Sequence, residues 1–470
     1  MRGLPDHLSP QPYNLLLDSD SYKMGHFRGY RIGTTTVYSY IESRGGRYPA
    51  TVWSGLQPLL YAKLGQDITD EMIAEAKAFA PAHGLPFNQA GWQKIVNHHK
   101  RKLPLLIRAV PEGLLVPVRN VLFTIENLDM DCPWLTSYVE TMILRDVWTA
   151  STIASRIFYM KRKLKKFFDD FSDNPLSPFA LIDFSARGCM GRDHSMLGGV
   201  AHLMHFQASD NLSAIRHANY YYFDDMAAQS VNATEHSIAC SYGLRNDDDY
   251  IRESLDRMVE PGQILSLVGD TWNIFRFAER LVAHKDEIAA KNISIVCRPD
   301  SGERWNVLPS VLKILAEGFG TEKNSKGREV LNMNVKVLWA DGMNETTITE
   351  PFEIAESLNI APDSVMTGAG GGLMTADLDR DTNQWAMKAS AIIINGEELD
   401  IRKIPVTDPE KVSKKGRFSL VRDHVSGEFK TIHPLDDVEG DDLLEMRFIS
   451  GLVQNPTTLK DMRKLIDAQL

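Results

Sequence analysis

The chain has 470 residues, 43% apolar and 24% charged, the make-up of a globular protein too long for one ordinary hydrophobic core. A formal net charge of −10 argues against a general nucleic-acid binder and leaves room for a local basic pocket. No run approaches about 18 consecutive apolar residues, so no membrane span is expected. The segment Met1–Tyr13 carries three prolines and no apolar centre, unlike a signal peptide. Cys132, Cys189, Cys240 and Cys297 are widely spaced with no CxxC pair, which fits reduced thiols in a cytoplasmic protein.

Leu15–Leu17 is a short apolar run that ends in Asp18-Ser-Asp-Ser-Tyr-Lys23. Thr34–Glu42, β-branched and aromatic, reads as a strand, and Arg44-Gly-Gly-Arg47 follows as a basic loop. Helical patterns come next at 54–65, 69–82 and 88–101. Leu105–Val110, Leu114–Val118 and Val121–Glu126 are short strands divided by turn residues, which predicts an antiparallel meander. Trp134–Arg145 and Ala150–Asp170 read as two helices.

From about 178 the pattern becomes strand, loop, helix, repeated. Strand-like runs fall at 179–184, 263–268, 293–297, 334–339 and 364–367, with helical patterns at 191–206, 272–290, 307–317 and 345–358. This alternation predicts a parallel sheet or a (β/α) barrel. After 383 strands return at 385–394, 400–404 and 417–421. The expected fold is therefore α/β: an irregular (β/α) barrel-like domain over 151–384, and a β-rich α+β domain built from both chain ends, 1–150 with 385–470.

The ends of the α/β strands carry the chemistry. They read Ser185-Ala-Arg187-Gly188, Gly269-Asp270-Thr271, Arg298-Pro-Asp300-Ser-Gly302, Ala340-Asp341-Gly342 and Gly368-Ala-Gly-Gly-Gly372. One such tip is an ordinary turn; five on one rim form a ligand site, because parallel α/β folds bind at the carboxyl ends of their strands. Glycines let a backbone approach a phosphate, arginines bind phosphate in a bidentate way, and aspartates suit ribose hydroxyls or a Mg²⁺ already held by phosphates. The run 368–372 is neither a Walker loop nor a clean GxGxxG. Glu235-His236-Ser237 places a carboxylate beside an imidazole, but no GxSxG elbow makes Ser237 a hydrolase nucleophile.

Taken in order, Asp20-Ser-Tyr-Lys23…His26, Pro111-Glu-Gly…Pro117, Asp183-Phe184…Arg187-Gly188, Ser209-Asp210, Glu235-His236-Ser237, Arg298-Pro-Asp-Ser-Gly302, Gly370-Gly-Gly-Leu373 and Ser413-Lys-Lys-Gly-Arg417 resemble the nicotinamide phosphoribosyltransferases, type II phosphoribosyltransferases, from about residue 13 to 450. The resemblance implies transfer of phosphoribosyl from 5-phosphoribosyl-1-pyrophosphate to nicotinamide, with Mg²⁺ and with ATP as co-substrate or activator. It implies a cytoplasmic homodimer with shared active sites, and no nucleic-acid or membrane partner. Phe184 and, from the other subunit, Tyr22 would sandwich the pyridine ring. Asp210 would read the carboxamide and repel a carboxylate. Arg187 and Arg298 would hold pyrophosphate, Asp300 the ribose hydroxyls, Asp341 and Gly371 the nucleotide product and Arg380 its 5′-phosphate. Arg44, Lys388, Lys403 and Lys411 would complete the phosphate sites. His236, supported by Asp270, would accept a phosphoryl group from ATP.

The chain departs from the family pattern in places. Ile182 stands where animal members carry His, Gly269 where Ser is usual, and Asn232 where Pro is usual. The stretch 373–381 is one residue longer, so either Asp379 or Arg380 fills the phosphate position, and charge favours Arg380. The competing expectations are a nicotinate phosphoribosyltransferase, which Asp210 opposes, and a barrel that binds without catalysing, which the intact set Arg298, Asp300, His236 and Asp270 opposes.

Overall fold

The computed structural model describes residues 12–332, 334–407, 411–434, 436 and 440–470. The chain divides into two compact units. One takes the residues up to Trp148 together with Arg380–Thr457; the other takes Thr149–Asp379 with Thr458–Leu470.

The first unit is organised on a seven-stranded antiparallel sheet. Thr34–Ser43 runs near its centre, flanked by Trp385–Ile394 on one side and Val121–Asn127 on the other. Both chain ends therefore supply neighbouring strands. The hairpin Trp385–Ile394 to Glu397–Asp400 turns on Asn395-Gly396, both at positive φ (53° and 83°), the two-residue turn that matches strand twist. Residues 401–404, expected as strand, lie beyond the end of that hairpin and form no ladder.

The expected meander does not form. Leu105–Ala109 and Val121–Asn127 pair with each other, but Leu115–Pro117 leaves them to pair with Ala50–Val52. Glu112 draws it away: this buried carboxylate accepts the backbone N–H of Gly55 at 2.9 Å and of Gln57 at 2.6 Å. The two helices expected over 134–170 are instead the short Leu135–Tyr138 and one 32-residue helix, Glu140–Phe171. The polar pair Arg145-Asp146 does not break it, because Asp146 is held by Lys63 at 2.8 Å.

The second unit is a parallel sheet whose strands are β1 Leu181–Asp183, β2 Ala208–Ser209, β3 Asn232–Ala233, β4 Ile264–Val268, β5 Ser294–Arg298, β6 Val335–Trp339 and β7 Val365–Ala369. Their spatial order is β2-β1-β7-β6-β5-β4-β3, every neighbouring pair parallel. A parallel bridge from Ala208 to Gln229, just before β3, lets the sheet curl back towards its own edge. β4 to β7 are almost wholly buried, as continuous apolar strands of a covered parallel sheet should be. Helices Arg192–Leu203, Ile274–Ala283, Arg304–Phe319 and Glu350–Ser357 join the strands. Because all strands run one way, all their carboxyl ends lie on one rim.

The last helix, Leu459–Asp467, packs within this second unit and not with the 385–457 strands as the sequence reading had it. Leu459, Met462 and Ile466 are buried, and Arg463 donates to the carbonyls of Leu203 (2.9 Å) and Ala227 (2.5 Å). Arg380, read as barrel, falls in the first unit.

Three histidines, two buried and one half-buried, give this unit an acid limit. Burial lowers the pKa of His202, His205 and His217, the last to about 4. Each stays neutral in the native state, whereas the unfolded chain takes up protons below about 6.5. The unfolded state then binds more protons, so stability is complete above pH ~6.5 and falls as pH drops towards 4. His217 alone contributes about 3 kcal/mol over that interval. The urea midpoint is expected to fall steeply between pH 6.5 and 4.5 and to stay flat from 7 to 8.

Candidate active site

Seven strand ends converge on the rim of the second unit. Along β1, alternation turns Ile182 and the following Phe184 inward, and Asp183 outward, away from the lumen. The same alternation brings Asp210, Ser266, Arg298 and Leu338 to the inner face. These residues line a cavity of about 480 Å³ within this unit. It is larger and more apolar than any single motif foretold. Ile182 is part of its wall and gives it an apolar surface at that point.

Phe184 is seated by a glycine. A methyl group at Gly368 would lie 2.3 Å from Phe184 Cε2, so only glycine leaves room for the ring. A Cβ on Gly188 would lie 2.4 Å from Gly371 Cα, so the tips of β1 and β7 touch backbone to backbone. Packing therefore accounts for two glycines read from sequence as a phosphate cradle. Of the glycines at 368–372, only Gly370 has nothing within 4 Å of an added Cβ. The helix behind the loop, Gly372–Thr375, is a single turn and supplies little dipole. The buried Arg156 fixes the loop by donating to the carbonyls of Gly372 (3.0 Å), Leu373 (3.3 Å) and Ala376.

Asp210 stands at the cavity wall with its Oδ1 accepting the Ser230 hydroxyl at 2.5 Å. Ser230 was not singled out from the sequence. Its proton is committed to Asp210, so the pair offers a ligand acceptors only.

His236 and Asp270 meet across β3 and β4. The ring Nε2 lies 2.9 Å from Asp270 Oδ1, and the Ser301 hydroxyl donates to Asp270 Oδ2. The Asp270 side chain is buried (7% exposed) while that of His236 is half exposed (48%), and Nε2 is the ring nitrogen engaged with the carboxylate. Ser301 is a second residue whose role the sequence did not disclose, although it lies inside the 298–302 motif.

Arg298 donates to the Thr234 carbonyl at 2.6 Å, and its Nε is buried with no partner among the described residues. Asp300 sits where Arg298, Asp270, His236 and Asp341 all act on it. Burial raises its pKa; Arg298 and His236 oppose the rise, and Asp270 and Asp341 add to it. Arg187 is exposed and makes no ion pair among the described residues. Arg187, Phe184, Asp210, His236, Asp270, Arg298, Asp300, Asp341 and Gly371 thus belong to one unit and one rim.

The remaining expected residues lie in the first unit. Lys388 lies opposite Tyr40 in the central ladder, and its pKa is lowered by burial and by Arg44, Arg380 and Lys403 nearby. Glu140 only partly offsets this. Four cations have gathered with too little negative charge, an arrangement that favours a bound anion. Arg44 also reaches Glu42 at 3.1 Å, and Arg380 reaches Asp381 at 3.0 Å. Lys411 is exposed. Tyr22 presents a ring that is 60% exposed, edge-on to His26 with centroids 5.1 Å apart.

Among the described residues, no group of three or more His, Cys, Asp or Glu is arranged to hold a metal ion. The described carboxylates do not build a resident Mg²⁺ site. No described helix is long and apolar enough to cross a membrane.

The model of the nicotinate phosphoribosyltransferase (NAPRTase) family matches residues 179–463, more than half of the chain. The chain belongs to that family. The N-terminal domain model of nicotinamide phosphoribosyltransferase matches residues 14–107 as well. A nicotinamide phosphoribosyltransferase of Xanthomonas campestris pv. campestris is 39% identical over 97% of this chain and 98% of its own length. Among solved structures, nicotinate-nucleotide pyrophosphorylase from Pyrococcus furiosus superposes with a TM-score of 0.62 at 13% identity, covering 99% of this chain and 98% of that one. Human nicotinic acid phosphoribosyltransferase gives 0.60 at 14% identity over 96% and 93%. At those identities the likeness is one of fold. This phosphoribosyltransferase is thus a pentosyl-transferring enzyme of pyridine-nucleotide metabolism, and its rim of strand ends is where such chemistry belongs.

Proposed function

We propose that the enzyme transfers the phosphoribosyl group of 5-phosphoribosyl-1-pyrophosphate to nicotinamide, giving nicotinamide mononucleotide and pyrophosphate, in NAD salvage. The observation that carries this is the Asp210–Ser230 pair at the cavity wall. A carboxamide brings an NH₂ that both acceptors can use. A carboxylate brings only negative charge against the Asp210 carboxylate, and the Asp210–Ser230 pair has no free proton to give it.

In the reaction the pyridine nitrogen's lone pair forms the bond to the anomeric carbon, and the carbon–oxygen bond to pyrophosphate breaks with its electrons. Phe184 holds the flat ring in line; Arg298 and the unpaired Arg187 stabilise the departing anion. The nitrogen carries no proton, so no general base is required. Asp300 binds the ribose hydroxyls, and Asp341 and Gly371 flank the product. Mg²⁺ enters with the pyrophosphate group as part of the substrate. The cations Arg44, Arg380, Lys388 and Lys403, with Lys411, and the exposed Tyr22 serve sites shared between two copies of the chain.

His236 does separate work. Its other ring nitrogen, Nδ1, accepts the γ-phosphoryl group of ATP, releasing ADP, while Nε2–H stays on Asp270. Hydrolysis of that phosphohistidine then favours product formation.

The test is a product assay with nicotinamide and phosphoribosyl pyrophosphate, with and without ATP. Nicotinamide mononucleotide should form in both cases, faster with ATP. Faster turnover of nicotinate than of nicotinamide would instead establish a nicotinate enzyme. His236→Ala is expected to keep basal synthesis within a few-fold and to lose both ATP hydrolysis and ATP stimulation. Retention of either would remove the phosphohistidine from the mechanism.

A further inference from the structure

Asp183 is fully buried at the end of β1, on the face turned away from the cavity. Its Oδ1 accepts the backbone N–H of Ser185 at 2.8 Å, and its Oδ2 accepts the Ser209 hydroxyl at 3.3 Å. Its carbonyl takes the N–H of Asp210 at 3.0 Å. Ser209 Oγ in turn accepts the N–H of Asn211 at 3.1 Å. Asn211 is itself buried and locked to Ser195 Oγ at 3.1 Å.

These bonds have one consequence in common. Phe184 lies between Asp183 and Ser185, and Asp210 lies between Ser209 and Asn211. Phe184 is bracketed by Asp183 and the Ser185 it holds, and Asp210 by Ser209, which donates to that carboxylate, and Asn211, which reaches it through Ser209. Phe184 is fixed further by its N–H to the Ala369 carbonyl at 2.9 Å and by its seat over Gly368. The stacking face and the amide-reading face come from two different strands. Their separation is set by what joins β1 to β2, and two-residue β2 supplies only a short ladder.

We infer that Asp183 is a positioning residue for the pyridine subsite: its carboxylate sets the spacing between the Phe184 ring and the Asp210 carboxylate. The inference rests on the proposed nicotinamide reading. It assigns no contact between Asp183 and substrate.

In Asp183→Asn one acceptor oxygen becomes an NH₂. With the amide oxygen kept on the Ser185 N–H, the NH₂ turns the Ser209 hydroxyl from donor to acceptor, and both clamps lose the charge that strengthened them. The two tips drift relative to each other, while the Arg298 and Asp300 tips, on the far side of β7 and β6, stay where they are. The KM for nicotinamide should rise about tenfold or more, and the KM for phosphoribosyl pyrophosphate should stay within twofold. Ser209→Ala removes one donor from the clamp, and should raise the nicotinamide KM three- to fivefold with the same selectivity between substrates. That variant decides the matter if Asp183→Asn does not fold. Unchanged nicotinamide KM in the folded variants, or both KM values rising together, would overturn the inference and reduce Asp183 to a structural role. Wild-type protein that fails to turn over nicotinamide would defeat the underlying reading first, so the two failures are told apart by the wild-type arm.

Discussion

Asp210→Ala is expected to lower kcat/KM for nicotinamide by roughly 10- to 150-fold, the loss of one hydrogen bond to a charged group worth about 1.5–3 kcal/mol. The same change should leave or raise kcat/KM for nicotinate. Selectivity between the two substrates would then shift by more than either rate alone. The argument is geometric. Asp210 Oδ1 is already satisfied by Ser230 at 2.5 Å, so the other oxygen is the one turned to a ligand. Alanine removes that acceptor and also removes the negative charge that a nicotinate carboxylate would face. Asp210 is solvent-exposed in the structure, so the melting temperature should hardly move. Parallel steady-state assays on both substrates provide the check. Equal losses on nicotinamide and nicotinate would mean that Asp210 supports the pocket without reading the carboxamide.

Strands β4 to β7 were legible because each is covered on both faces and therefore reads as a nearly unbroken apolar run between turn residues. Ile264–Val268 and Val335–Trp339 differ from the expected bounds by one residue at the start. Ala208–Ser209 and Asn232–Ala233 were not legible, since two residues carry no periodicity; they exist because the curled sheet needs them at its edges. The helix Asp247–Arg257 was hidden by its opening Asp247-Asp-Asp249, which resembles a solvated loop. Its acids are consumed by Arg276 on Asp247 and Arg280 on Asp248 from the next helix. In the first unit, the Asn395-Gly396 turn signal was present in the sequence and placed the Glu397–Asp400 strand earlier than composition alone did.

The site was legible at its tips and illegible in its lining. Arg298, Asp270 and His236 announce themselves as charged groups after apolar runs. Ser266 and Leu338 do not, because a strand covered on both faces gives no sign of which face turns to the lumen. Ser230 and Ser301 were equally hidden. A serine's role depends on the carboxylate it reaches, and both reach across to another strand, to Asp210 and Asp270. The glycines were assigned a role too readily: Gly368 and Gly188 are needed for close packing before any ligand is considered.

Arg298→Ala should produce the larger loss in kcat. The guanidinium stands on the cavity wall, held by the Thr234 carbonyl at 2.6 Å and with Nε unpartnered among the described residues. Removing one preorganised donor from a developing anion costs on the order of 10²–10³ in kcat. Lysine restores the charge without the planar fork, so Arg298→Lys should recover only about tenfold. A second effect identifies the cause. Asp300 has its pKa raised chiefly by burial, with Asp270 and Asp341 adding to the rise, and Arg298 is the foremost charge opposing it. Without Arg298 the Asp300 carboxyl is pushed higher still. Its ionised form, the one that accepts the ribose hydroxyls, is then lost at a higher pH as acid is added. The acid limb of the kcat/KM profile for phosphoribosyl pyrophosphate should therefore move upward in Arg298→Ala, and by less in Arg298→Lys. A pH–rate series on the three proteins measures both effects. A large loss of kcat with no movement of the acid limb would detach Asp300 from the step, and a loss below threefold would detach Arg298 itself.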